Sequence, residues 1–155
     1  MIPTDLQAGL KKRLEKVFEH ELFHAPNGER VPLTIIEQKL PKKTKKEDEF
    51  YPLILVKLFD GEKRTEKDDN KVNVGFVIGT FDGAPNHQGY QDVTHIMNKI
   101  IKNLHEYPSV DDQFELSFPL RWAIIDEETE PYYHGGIEAT FIVPEPISQH
   151  LEGML

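Results

Sequence analysis

The segment DVTHIMNKIIKNLHEYP, from Asp92 to Pro108, constrains this chain more than any other, because it can gather its apolar residues only as a helix. Val93, Ile96, Met97, Ile100, Ile101 and Leu104 recur at intervals that a turn of 3.6 residues collects into one stripe. Pro108 cannot continue a helical ladder, so the spacing predicts a helix over about 90–106. A stripe this broad has to lie on another apolar surface.

Extended segments elsewhere supply that surface. In KVNVGFVIGTF, Val72, Val74, Phe76 and Ile78 take one face and Asn73, Gly75, Val77 and Gly79 the other; the alternate glycines leave room for something to lie close, most simply a packed helix. FELSFPLRWAII alternates Phe114, Leu116, Phe118, Leu120, Trp122 and Ile124 against more polar positions, which predicts one strongly buried face. Pro119 lacks the donor a ladder needs, so this strand has a free edge or a bulge there. GGIEATFIVP returns with Ile137, Ala139, Phe141 and Val143 on one face, and the two segments read as an antiparallel pair. YPLILVKLFDG is apolar on both faces, as in a central strand covered on each side. A further short strand is expected between Val31 and Leu40.

Near the N-terminus, Leu6, Leu10, Leu14, Val17 and Phe18 predict a one-faced helix over about 5–21, capped by Thr4 or Asp5. FHAPNGERVP has the turn chemistry to end it. Charged loops are expected at about 41–49 and 60–71. Helix, strands, helix, strands without regular alternation predicts one α+β domain over 1–155: a two-layer sandwich with a mainly antiparallel or mixed sheet packed against two principal helices.

Charge and composition narrow the function. A formal charge of −9 gives a summed field that repels nucleic acid and anionic membrane. Cysteine is absent, which excludes disulfides and thiolate metal sites. No segment is apolar enough for a signal peptide or a membrane span, and the chain reads as soluble and intracellular in origin.

Chemistry is suggested most by TFDGAPNHQGYQDVTHIMNKI, which holds Asp82, His87, Asp92 and His95. Asp92, His95 and Lys99 share one helix side by their spacing of three and four. That side lies opposite the apolar stripe, Lys99 opposes a cation, and the pattern matches no standard zinc spacing. These residues therefore read as turn, first helical turn and surface contacts. The glycines of GTFDG and HGG do not open a phosphate-binding unit, and no nucleophile elbow occurs. Asp126, Glu127, Glu128 and Glu130 crowd one turn, where a hydrolytic carboxylate pair would need to face across a cleft. No catalytic, cofactor or metal residue is assigned, and no cofactor is expected.

Partner binding is the remaining class. PYYHGG places Tyr132, Tyr133 and His134 on an exposed hairpin, where aromatic side chains suit the centre of an interface, so these three join Asp92, His95 and Lys99 as candidate contact residues; a packed turn is the equal alternative for Tyr132 and Tyr133. An open sheet edge would also invite pairing with another subunit.

The series YPLILVKLFDGE, VNVGFVIGTFD, GYQDVTHIMNKIIKNL and FELSFPLRWAIIDEETEPYYHGGIEATFIVP resembles the small tail-terminator or tail-completion proteins of long-tailed bacteriophages and prophages. The resemblance runs from Tyr51 to Pro144. It implies a virion protein made in the host cytoplasm, a homohexameric ring that sits on the last ring of the tail tube protein, stops tail growth and meets the head connector protein. DNA would pass through the lumen without specific binding, with no membrane involved. A soluble protein-binding domain and a metal-dependent hydrolase are the alternative readings.

Overall fold

The computed structural model describes residues 3–40, 50–84, 89–125 and 129–144. Helix α1 (Pro3–Val17) opens on a proline, whose missing N–H costs nothing in a first turn. It ends four residues short of the expected 21, because Phe18 to His20 form a turn that carries Glu21 toward a second helix. Arg13 in α1 donates to the carbonyls of Tyr107 at 2.7 Å and of Ser109, tying α1 to the end of that helix.

FHAPNGERVP is more than a helix stop. It forms a small hairpin of β1 (Phe23–His24) and β2 (Arg30–Val31), which form a two-stranded sheet of their own. Gly28 takes φ +87° in its turn, where a side chain would be strained, and the Glu29 amide donates to Asn27 Oδ1 at 2.9 Å.

The main sheet comprises β3 (Thr34–Glu37), β4 (Leu53–Glu62), β5 (Asn70–Phe81), β6 (Ser109–Val110), β7 (Phe114–Ile125) and β8 (Tyr132–Val143), in the order β3-β4-β5-β8-β7-β6. All neighbours are antiparallel except β3 and β4. The short strand expected between Val31 and Leu40 contracts to Thr34–Glu37 and joins this sheet at its edge. Beyond it, the Gln38 side chain donates to Leu58 O and accepts from Leu58 N, both at 3.0 Å, extending the ladder by one step.

Helix α2 (Tyr90–Glu106) crosses β5, β8 and β7, and α1 lies over β3 and β4, so both helices cover one face of the sheet. The fold is α+β, a mixed sheet packed against two helices. Between the layers sit Leu6, Leu10, Ile54, Phe76, Ile78, Val93, Ile96, Ile100, Phe114, Ile137 and Phe141, all essentially inaccessible to solvent.

Two expectations change. The charged loop placed at 60–71 shrinks to 63–69, because Glu62 pairs with Lys71 in register and Asn73 Nδ2 donates to Asp60 Oδ1 at 2.7 Å, which extends both strands. The other charged loop, 41–49, lies outside the described residues. In β7 the strongly buried face is not continuous, and a register shift between Ser117 and Leu120 breaks the pairing at Pro119. Phe114 is buried, whereas Phe118 and Trp122 are 60% and 62% exposed.

Candidate functional site

Asp92, His95 and Lys99 do share one side of α2, and that side is partly covered. The turn after α1 brings Glu21 onto it: one carboxylate oxygen accepts from His95 Nε2 at 2.6 Å and the other from Lys99 Nζ. Lys99 Nζ also reaches the Val17 carbonyl at 3.4 Å, at the negative end of the α1 dipole, and stands 5.2 Å from the Phe18 ring centre. His95 and Lys99 thus serve first as a clamp between α2 and the segment following α1. Sequence spacing put these two on one face but carried no sign that Glu21, more than seventy residues away, would meet them.

Burial pushes the Glu21 carboxyl up, but the hydrogen bonds from Lys99 and His95 and their positive charges outweigh it and hold the group below its ordinary range. A carboxyl depressed in the folded state stabilises above its unfolded pKa, and that contribution is lost as pH falls through the folded value. Glu21→Gln is therefore expected to destabilise the protein by about 1 kcal/mol at pH 7. Urea melts at pH 7 and near pH 3 test this: the gap between variant and wild type should close at the lower pH, and an equal gap at both would refute the clamp.

At Asp92, burial pushes the carboxyl up, with Asp82 adding to the rise and His24, Arg30 and His95 opposing it. Asp82 accepts from the Ala84 amide at 2.9 Å, as a turn residue does. His87 lies outside the described residues, as do Asp126, Glu127 and Glu128 of the acidic turn. Among the described residues no three His, Asp or Glu side chains stand close enough together to hold a metal ion.

Tyr132, Tyr133 and His134 are half-buried at the start of β8, and strand alternation divides them. Tyr133 turns toward α2 and fills the space above Gly89, where an added Cβ would lie 2.2 Å from its ring. On the opposite face, Tyr132 packs against Tyr51 and Phe81 with ring centres 4.7 and 5.5 Å apart. His134 Nε2 and Tyr51 Oη share a hydrogen bond of 2.6 Å. Tyr90, the first residue of α2, is 48% exposed.

The face of the sheet away from the helices has a pattern that only the register reveals. One row across the strands reads Lys57, Gly75, Glu138 and Arg121; the next reads Leu55, Val77, Gly136 and Ala123; the third reads Leu53, Gly79, His134 and Ile125. Among the described residues no helix lies over the alternate glycines of β5, contrary to the sequence reading, because both helices take the opposite face. Tyr51 covers Gly79 and Phe59 covers Gly75, leaving a groove of about 410 Å³ above Val77, Gly136 and Ala123. Phe59 and Ile125 stand exposed beside it, whereas Trp122, opposite the buried Ile137, is exposed at the β7 edge on the helix side. Sequence reasoning assigned none of these to a site. Its signal was present in the two-faced apolar character of β4 and the paired glycines of β8, but only strand order brings them together.

The molecule therefore belongs to the class of α+β proteins whose sheet is covered by helices on one face and, among the described residues, bare over an apolar strip on the other. Comparison with protein-family models gives no match, and no curated protein matches the chain.

Proposed function

We propose that this chain is a non-enzymatic assembly protein whose copies close into a ring on the end of a phage tail tube, end tail polymerisation and present the surface that joins the head connector. The observation that carries this reading is the pair of unlike open edges on the main sheet. Among the described residues, β3 on one side pairs with β4 alone, and on the other β7 beyond Glu115 pairs with β8 alone. Edges of different length and chemistry meet head to tail, the heterologous kind of contact that closes rings. The likeness of the Tyr51 to Pro144 series to tail-terminator proteins supports the same reading. So does the acidic balance, since a strongly basic lumen would retain DNA.

Tube protein polymerised with this chain should give short tubes with one end closed by a ring, visible by negative-stain microscopy. Tubes that grow to the same length with and without it would sink the proposal. A protein-binding domain acting as a monomer or dimer is the second reading, favoured by the apolar groove; an unchanged tube length with a stable small complex in solution would select it.

A further inference from the structure

Within this chain, aromatic rings repeatedly lie on glycines: Phe59 on Gly75, Tyr51 on Gly79 and Tyr133 on Gly89, each so close that a Cβ would fall within 2.6 Å of a ring atom. Gly135 is likewise filled, by Val93 and Met97 of α2. Gly136 differs. A Cβ there would meet only the Phe76 carbonyl oxygen at 3.6 Å, an ordinary contact, and its φ lies outside the left-handed region. Neither packing within the chain nor backbone conformation asks for glycine at this position, yet it floors the groove with Val77 on one side and Ala123 on the other.

Charge selects the occupant. At −9, copies of the chain repel one another at long range, so any face on which they meet must carry its own compensation. The row beside the strip does. Arg121 and Glu138 are register partners on adjacent strands, and neither forms an ion pair among the described residues. A two-fold axis running along the strands between β7 and β8 sets Arg121 of each copy opposite Glu138 of the other. In the neighbouring row it lays Ala123 on Gly136 in both directions, small on small, so the two sheets can approach closely. The same rotation carries the exposed Phe59 ring past the β7 edge of the second copy. Two small residues in the middle and a Phe59 ring at each flank make a self-complementary, isologous surface.

We propose that the open face of the sheet is a self-association surface, covered by a second copy of this chain around that two-fold axis. The contact uses the face of the sheet, whereas the ring uses its edges, and it does not rest on the ring reading.

The full chain is tested by sedimentation equilibrium from about 1 to 100 µM, the range in which contacts of this size dissociate. Wild type should pass from monomer to dimer. Arg121→Glu should weaken the dimer at least about tenfold, and the double variant Arg121→Glu with Glu138→Arg should restore it; both variants should match the wild type in urea melts, whereas repulsion between the two register partners within one chain would lower the stability of the single variant. Gly136→Leu should keep the circular-dichroism spectrum of the wild type and remain monomeric. A wild-type chain that stays monomeric throughout overturns the proposal, as does a dimer that survives both Arg121→Glu and Gly136→Leu. A hexamer indifferent to Gly136→Leu also overturns it, while leaving the ring reading standing.

Discussion

Phe76→Ala is expected to lower the free energy of unfolding by about 3–5 kcal/mol, measured by urea denaturation. Phe76 is wholly inaccessible, sits in the middle of β5, and has Val56 and Ile137 as its register partners on the two flanking strands. Helix α2 passes over the same strand, so the lost ring leaves a space with sheet on one side and helix on the other. Neither can collapse into it without dragging the other out of register. Since domains of this size are held by only about 5–15 kcal/mol, the loss is a large part of the whole. A cost below about 1 kcal/mol, the value typical of an average substitution, would show that the core is not organised around this ring.

Gly135→Val is expected to be destabilising by about 1–3 kcal/mol or more through overpacking. A Cβ at Gly135 would lie 2.6 Å from Val93 Cγ1, 3.0 Å from Met97 Sδ and 3.3 Å from the Ala123 carbonyl oxygen. The first two belong to α2, so this glycine sets how closely the main helix approaches β8. Two further methyl groups would force the helix outward or twist β8 away from β7. Adding Val93→Ala should recover part of the loss, because the two positions share one space and their effects are not additive. The neighbouring Gly136→Ala should change stability by less than about 0.5 kcal/mol, as expected where the added Cβ makes only an ordinary contact. A larger cost at 136 than at 135 would mean that the faces of β8 are reversed.

That contrast marks how far the sequence was legible. GGIEATFIVP reads plainly as a strand with Ile137, Ala139, Phe141 and Val143 inward, and those four are buried. It did not separate the two glycines, because their difference lies in what stands above each: α2 over one, and the open groove over the other. In β7 the alternation put Phe118 and Trp122 on a buried face, although Pro119 already signalled a bulge or a free edge. The bulge between Ser117 and Leu120 inserts two residues and so keeps the side-chain parity, leaving Trp122 opposite the buried Ile137. What exposes it is the edge position of β7, which beyond Glu115 pairs only with β8 among the described residues. The candidate contact residues divide in a similar way. Spacing alone groups Asp92, His95 and Lys99, but the clamp on Glu21 depends on where the chain turns after α1, which no local period encodes.

From the sequence alone come the two apolar stripes of the helices, the inward residues of β5 and β8, and the α+β order of elements, since each rests on a periodicity within one segment. Tertiary structure decides the pairing of β3 with β4, the clamp at Glu21 and the register that lines up Leu55, Val77, Gly136 and Ala123 across four strands. The physical reason is reach. A side-chain period reports which residues share a face of their own element, whereas a surface built from several strands exists only once their order and register are set by contacts distant in the chain.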